Sequence, residues 1–170
     1  MFLTRLRFSL GMTQAKTCIT EASRILKSNW NNDVAGPCLR MSFHDAGTYE
    51  QFPVSAFGKP LQCGGANGSF KQEIEDGTAT NFKSFPQQNG MQMCYDFLWG
   101  SNNLSQKIRA VPTCAKMSNA DMIQLVGYIA VIKTGGVSCP FYPGRPDAKG
   151  YDNVSSLLRM SIFLQDRTLY

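Results

Sequence analysis

A single histidine, His44, stands among 170 residues, and no two cysteines have the C-x-x-C spacing. These shortages remove the common structural zinc sets, which need several His and Cys ligands at close, regular spacing. Charge is also scarce, at 17% of residues, while apolar residues reach 43%. That balance excludes a disordered chain and leaves an ordinary globular one, long enough to bury a single real core. Long apolar runs are missing too. The longest, Met122 to Ile132, is broken by Gln124, Gly127 and Tyr128, and it falls short of the roughly 20 residues a spanning helix needs. No membrane span is expected, although attachment to a membrane complex stays open. The formal net charge is +5, yet the basic residues gather in no strip with aromatic interleaving. Nucleic acid is therefore not an expected partner, and the charge reads as solvated surface.

Six cysteines, Cys18, Cys38, Cys63, Cys94, Cys114 and Cys139, are even in number but widely spaced. Cys18 falls on the apolar face of a predicted helix and is expected as a buried thiol, not a bridge partner. In a cell interior most of the six should be reduced; an oxidising lumen would let them pair.

Residues 1–12 make a basic, acid-free start that mixes Phe and Leu with Arg and Ser. It suits the remnant of an organelle-targeting segment, mitochondrial or plastid, and equally a frayed terminus. Residues 13–170 then read as one helical domain. Ala15, Cys18, Ile19, Ala22, Ile25 and Leu26 keep the rhythm of an amphipathic helix ending near Asn29. Pro37 sits where a helix can begin, and Cys38 to Asp45 is predicted as the second. Residues 51–89 are rich in Gly, Pro, Asn and Thr with little periodicity, and read as a long functional or docked loop. A third helix is predicted from Gly90 to Trp99. Ser118 with Asp121 resembles a capping box that opens a strong helix over Asn119 to Lys133, stopped by Thr134-Gly135-Gly136. A last amphipathic helix is predicted over Asn153 to Leu164, and no internal repeat is present.

Arg40 and His44 are four apart, so on a helix both project from one side. An imidazole that moves a proton beside a permanent guanidinium charge suits heterolysis of a peroxide bond. The base takes a proton from one oxygen and returns it to the departing one, and the cation stabilises the charge that develops. Phe43 is placed to pack over a planar cofactor. A lone His beside an Asp also fits a satisfied structural residue.

The stretch Arg40-x-x-Phe43-His44-Asp45-Ala46-Gly47-Thr48 resembles the distal-helix signature of the plant-type haem peroxidases, the family of ascorbate peroxidase and cytochrome c peroxidase. Three further blocks match in order. Cys63-Gly64-Gly65-Ala66-Asn67-Gly68-Ser69 resembles the glycine-rich turn after the distal helix. Ser118 to Leu125 resembles the S-x-A-D-x-x-Q-L helix, and Val131 to Gly136 with Pro140 to Arg145 resembles the V-x-x-T-G-G-P and P-G-R segment. The resemblance covers about residues 13–148 and implies an all-α, haem-peroxidase-like fold, its distal helical half carrying a long irregular loop. It also implies Arg40 and His44 as the distal acid–base pair and Phe43 as the distal aromatic.

Departures from the family pattern are equally specific. The family ligates haem iron through a proximal histidine in a second group of helices, and His44 is already spent on the distal side. Haem needs an axial ligand, and nothing in the placement of Met or Cys argues for a substitute. At the position of the family's distal asparagine stands Gln88, with Asn81 and Asn89 as alternatives. The loop that separates Arg145 from the segment starting at Pro146 in ascorbate peroxidases is deleted here. Some relatives bind distal calcium; the matching positions are Asp45, Gly65, Asn67 and Ser69, where Asn67 removes a charge the site depends on.

Three readings follow. In the first, the chain lacks the proximal half and serves as a non-catalytic accessory subunit without cofactor, docked in a larger organellar assembly that covers the exposed helix faces. In the second, it is the distal part of a haem-dependent, hydrogen-peroxide-reducing peroxidase whose remainder lies elsewhere or on a partner. In the third, it is a redox-sensing module using its cysteines, none of which has an obvious activating neighbour.

Overall fold

The computed structural model describes residues 2–47, 49, 65–79 and 90–149. Among them the chain is all-α: α1 (Phe2–Ser28), α2 (Ala35–Ala46), α3 (Ser69–Ala79), α4 (Gln92–Trp99), α5 (Leu104–Arg109) and α6 (Asn119–Lys133). Short 3₁₀ turns at Asn32–Val34 and Pro112–Cys114 bend the chain between them. No described helix is long and apolar enough to cross a membrane.

The centre is α6. Ala120, Met122, Ile123, Leu125, Val126, Ile129 and Ala130 leave it apolar on nearly every side, and all are buried. Its start is the predicted one: the Ser118 hydroxyl accepts the Asp121 N–H at 3.0 Å. At its end Gly135 takes a left-handed φ of +89°, which a side chain would strain. Across it lies α2, which opens with Pro37 in its first turn, where a missing N–H costs nothing. At Gly127 the two helices leave no room for a side chain: a Cβ would stand 2.1 Å from the Ser42 hydroxyl oxygen. Gln124 on α6 donates to the Ser42 carbonyl at 3.0 Å and fixes the pair in register. Cys18, Ala22 and Leu26 of α1 follow the predicted rhythm into the same core.

Several expectations are corrected. Cys18 is not a buried free thiol but is bonded to Cys114, and Cys38 is bonded to Cys94. Helical periodicity placed Cys18 on the inner face, but only folding brings the turn at Pro112–Cys114, 96 residues on, against it. Four of the five cysteines among the described residues are thus paired, not reduced, and Cys139 is the exposed free one. The predicted long loop is interrupted by α3, whose Phe70 and Ile74 enter the core. The short α5 was also not anticipated; Asn103, at φ 40°, caps it by accepting the Gln106 N–H. Residues 51–64, Cys63 included, and the helix predicted over Asn153 to Leu164 lie outside the described residues. The helix α1 begins at Phe2.

Candidate active site on the second helix

Helix periodicity splits α2 into two sides. Cys38, Met41, Ser42 and Asp45 are buried against α4 and α6. On the opposite side, Leu39 is 47% and Phe43 60% exposed, and Arg40 is exposed beside them. The Arg40 guanidinium reaches toward the turn before α4: a Cβ added to Gly90 would lie 3.8 Å from its Nη1.

His44 sits at the boundary of the two sides. Its Nε2 stands 3.3 Å from Glu73 Oε2 of α3, and the two side chains are only 11% and 12% exposed. The edge of its ring meets Phe70 with centroids 5.0 Å apart. Glu73 went unrecognised in the sequence because it falls in the stretch read as loop. The signal available was the helical spacing of Phe70, Glu73 and Ile74, which puts the carboxylate beside two core residues. A carboxylate at an imidazole nitrogen fixes the ring and selects which nitrogen carries a proton. Here the nitrogen that faces the carboxylate is Nε2. Gln88, Asn81 and Asn89 lie outside the described residues.

The candidate calcium positions come together, but in the start of α3. Asp45 is fully buried. Its carboxylate accepts the Gly68 N–H at 3.1 Å and faces the Phe70 N–H at 3.5 Å. Those are donors that a helix start leaves unpaired, and the negative charge is favoured there. Asn67 Oδ1 accepts the Ser69 N–H at 3.1 Å, while Ser69 is buried and Gly65 holds φ +108°. No group of three His, Cys, Asp or Glu able to hold a metal occurs among the described residues.

The other motif residues close a second node at the start of α6. Asp121 is buried and accepts from Gly144 N–H at 2.7 Å, Arg145 N–H at 3.3 Å and Arg145 Nη1 at 3.0 Å. Asp147 accepts the Asn119 and Ala120 N–H groups at 3.1 and 2.8 Å. With Ser118 on Asp121, the first three N–H groups of α6 are all satisfied. Gly68, at φ +76°, is pressed into this node: a Cβ would stand 2.9 Å from the Ala120 nitrogen. The Ala148 N–H closes the ring on the Asn67 carbonyl at 2.7 Å. The glycine-rich turn and the P-G-R segment therefore work as one structural knot.

Whether haem suits these residues turns on the α2 side chains. Phe43 faces outward, His44 is turned onto Glu73, and the sequence holds no second imidazole for an opposite side. The described residues offer one open face, not a two-sided pocket, and by themselves do not fit the group.

The family model described as Peroxidase matches residues 18–160. The chain is 34% identical over 117 residues to L-ascorbate peroxidase 5, peroxisomal, of Arabidopsis thaliana, covering 68% of this chain and 33% of the relative. It is 34% identical over 131 residues to L-ascorbate peroxidase 3 of the same plant, covering 76% and 37%. A probable L-ascorbate peroxidase 4, peroxisomal, of Oryza sativa subsp. japonica is 34% identical over 110 residues, covering 65% and 30%. The chain spans about a third of the length of these curated relatives. An all-α fold, an Arg40–Phe43–His44 helix and a family match over most of the sequence lead to one assignment: the chain belongs to the plant-type haem peroxidase family, related to the ascorbate peroxidases.

Proposed function

We propose that this chain is a docking and accessory element of a larger organellar protein assembly, without peroxidase activity by itself. The observation that carries the reading is the outer side of α2, where Leu39 and Phe43 stand one turn apart and open to solvent. Such a pair is a natural patch for another protein surface to cover. Arg40 is exposed beside it, and the covering surface should be mainly apolar. The pairing of His44 with Glu73 supports the same reading, because it holds the imidazole within the chain.

A second reading has its own support. Arg40, Phe43 and His44 lie on one helix in the spacing of the family's distal site, which pure docking does not require. Completed by further protein that supplies an axial ligand, the face would belong to a haem-dependent peroxidase acting on hydrogen peroxide. The relatives' names favour the peroxisome as organelle over the mitochondrion or plastid expected from the N-terminal segment. The two disulfides favour an oxidising space.

The deciding experiment is an absorption titration of the purified chain with haemin, followed by cyanide. The docking reading expects the spectrum of free haem throughout. A Soret band that shifts with cyanide would sink it and move the assignment to the second reading.

A further inference from the structure

Away from the α2 face, α3 and α4 hold a second cluster with chemistry of its own. Tyr95 and Trp99 are four apart on α4 and share one side of it. Their ring centroids lie 5.3 Å apart with the planes tilted by 39°. The Tyr95 hydroxyl donates to Glu75 Oε1 of α3 at 3.0 Å. Lys71, one turn earlier on α3, pairs with the same carboxylate and holds its ammonium 5.7 Å from the Trp99 ring centre. The Trp99 indole N–H is buried with no acceptor among the described residues.

These partners treat the two rings unequally. A phenol that loses an electron becomes a strong acid, so its oxidation is eased where a base already stands on the O–H. Glu75 is such a base, within the distance that proton transfer needs. An ammonium over an indole attracts the neutral ring but repels the ring once it carries positive charge. Among the described residues, the Trp99 N–H also has no acceptor to take its proton. Burial, then the Glu75 hydrogen bond and the Glu75 and Asp96 charges, push the Tyr95 pKa up to about 12. At neutral pH the phenol is therefore protonated, and electron and proton must leave it together.

We propose that Tyr95 is a one-electron oxidation site of this chain, reached through Trp99 and deprotonated by Glu75. A radical one-electron oxidant takes an electron from the Trp99 indole and is itself reduced. Trp99 recovers that electron from Tyr95, the phenolic O–H breaks, and its proton bonds to the Glu75 carboxylate. The products are the reduced oxidant, intact Trp99, a neutral tyrosyl radical and protonated Glu75. No atom of the α2 face takes part, so the inference stands apart from the docking reading and fails independently of it.

The test is pulse radiolysis of the intact chain with azide radicals, which oxidise indoles first, following the indolyl and phenoxyl absorption bands. The phenoxyl band should rise in a first-order phase independent of protein concentration. Tyr95→Phe and Trp99→Phe should remove that phase, and Trp30→Phe should keep it. Glu75→Gln should slow it at least about a hundredfold, the low side of what a positioned proton acceptor contributes. An unchanged phase in Tyr95→Phe, a rise that scales with concentration, or a native rate in Glu75→Gln would each overturn the proposal. Should Tyr95→Phe lose its native circular dichroism, the Trp99→Phe and Glu75→Gln variants decide with the tyrosine in place.

Discussion

At the start of α6, the two carboxylates Asp121 and Asp147 accept five backbone or guanidinium hydrogen bonds within 3.3 Å. On the outer side of α2, Arg40 and Phe43 are exposed, and His44 at its margin has turned inward onto Glu73. Both regions carry residues that match the same family. One is a closed knot in which carboxylate charge is neutralised by donors that a helix start and a tight turn leave over. The other is a helix face whose Leu39 and Phe43 side chains stand in solvent. Family likeness therefore marks two different things here, a device that holds the fold and an exposed helix face.

The largest expected effect tests what holds the open face in place. Replacing Cys38 and Cys94 together by Ser frees α2 from α4 and opens a loop of 56 residues. Stability should fall by about 4 kcal/mol, the chain-entropy value for a loop of that size. Urea unfolding under non-reducing conditions measures it, and a loss near zero would mean that packing alone seats α2.

Next comes the knot itself. Asp121→Ala orphans the Gly144 and Arg145 donors around a buried position and should cost about 3 kcal/mol. Arg40→Ala, on the exposed side, should stay within about 0.5 kcal/mol. Similar losses for the two in thermal melts would erase the contrast between knot and face.

The third prediction sharpens the boundary between core and face. Gly127→Ala drives a methyl into Ser42 and should cost about 2 kcal/mol through overpacking. Ser42→Gly in the same chain removes the atoms it meets, so a double-mutant cycle should recover most of that loss. Additive costs would place the strain elsewhere.

The smallest effect falls on the face. Phe43→Gln should alter the melting free energy by less than about 0.5 kcal/mol, because the ring is already in solvent. Binding of a hydrophobic dye should nevertheless weaken, since the variant removes the largest apolar side chain of the patch. A clear destabilisation would show that the ring is needed for folding and is not free to dock.

Much of this was legible from local pattern. The limits of α6, its Ser118 cap and its stop at Gly135 were readable because capping residues and apolar spacing act within one or two turns. The Arg40–His44 spacing was readable for the same reason. What escaped notice depended on contacts between distant segments. Glu73 lay in a stretch whose composition argues for loop, and α3 forms there because Phe70 and Ile74 find the core and Asp45 caps its start. Composition outweighed a period of only two apolar residues.

The sequence alone determined the all-α class, the central helix, the family and the helix that bears Arg40, Phe43 and His44, since each follows from short-range periodicity or from a motif of adjacent residues. Tertiary structure decided the rest. It chose the disulfide partners, turned His44 to Glu73, gave Asp45 to the start of α3 and drew Asp147 onto α6. These pairings join residues 23 to 96 positions apart. At such separations only packing of the whole core settles which donor meets which acceptor.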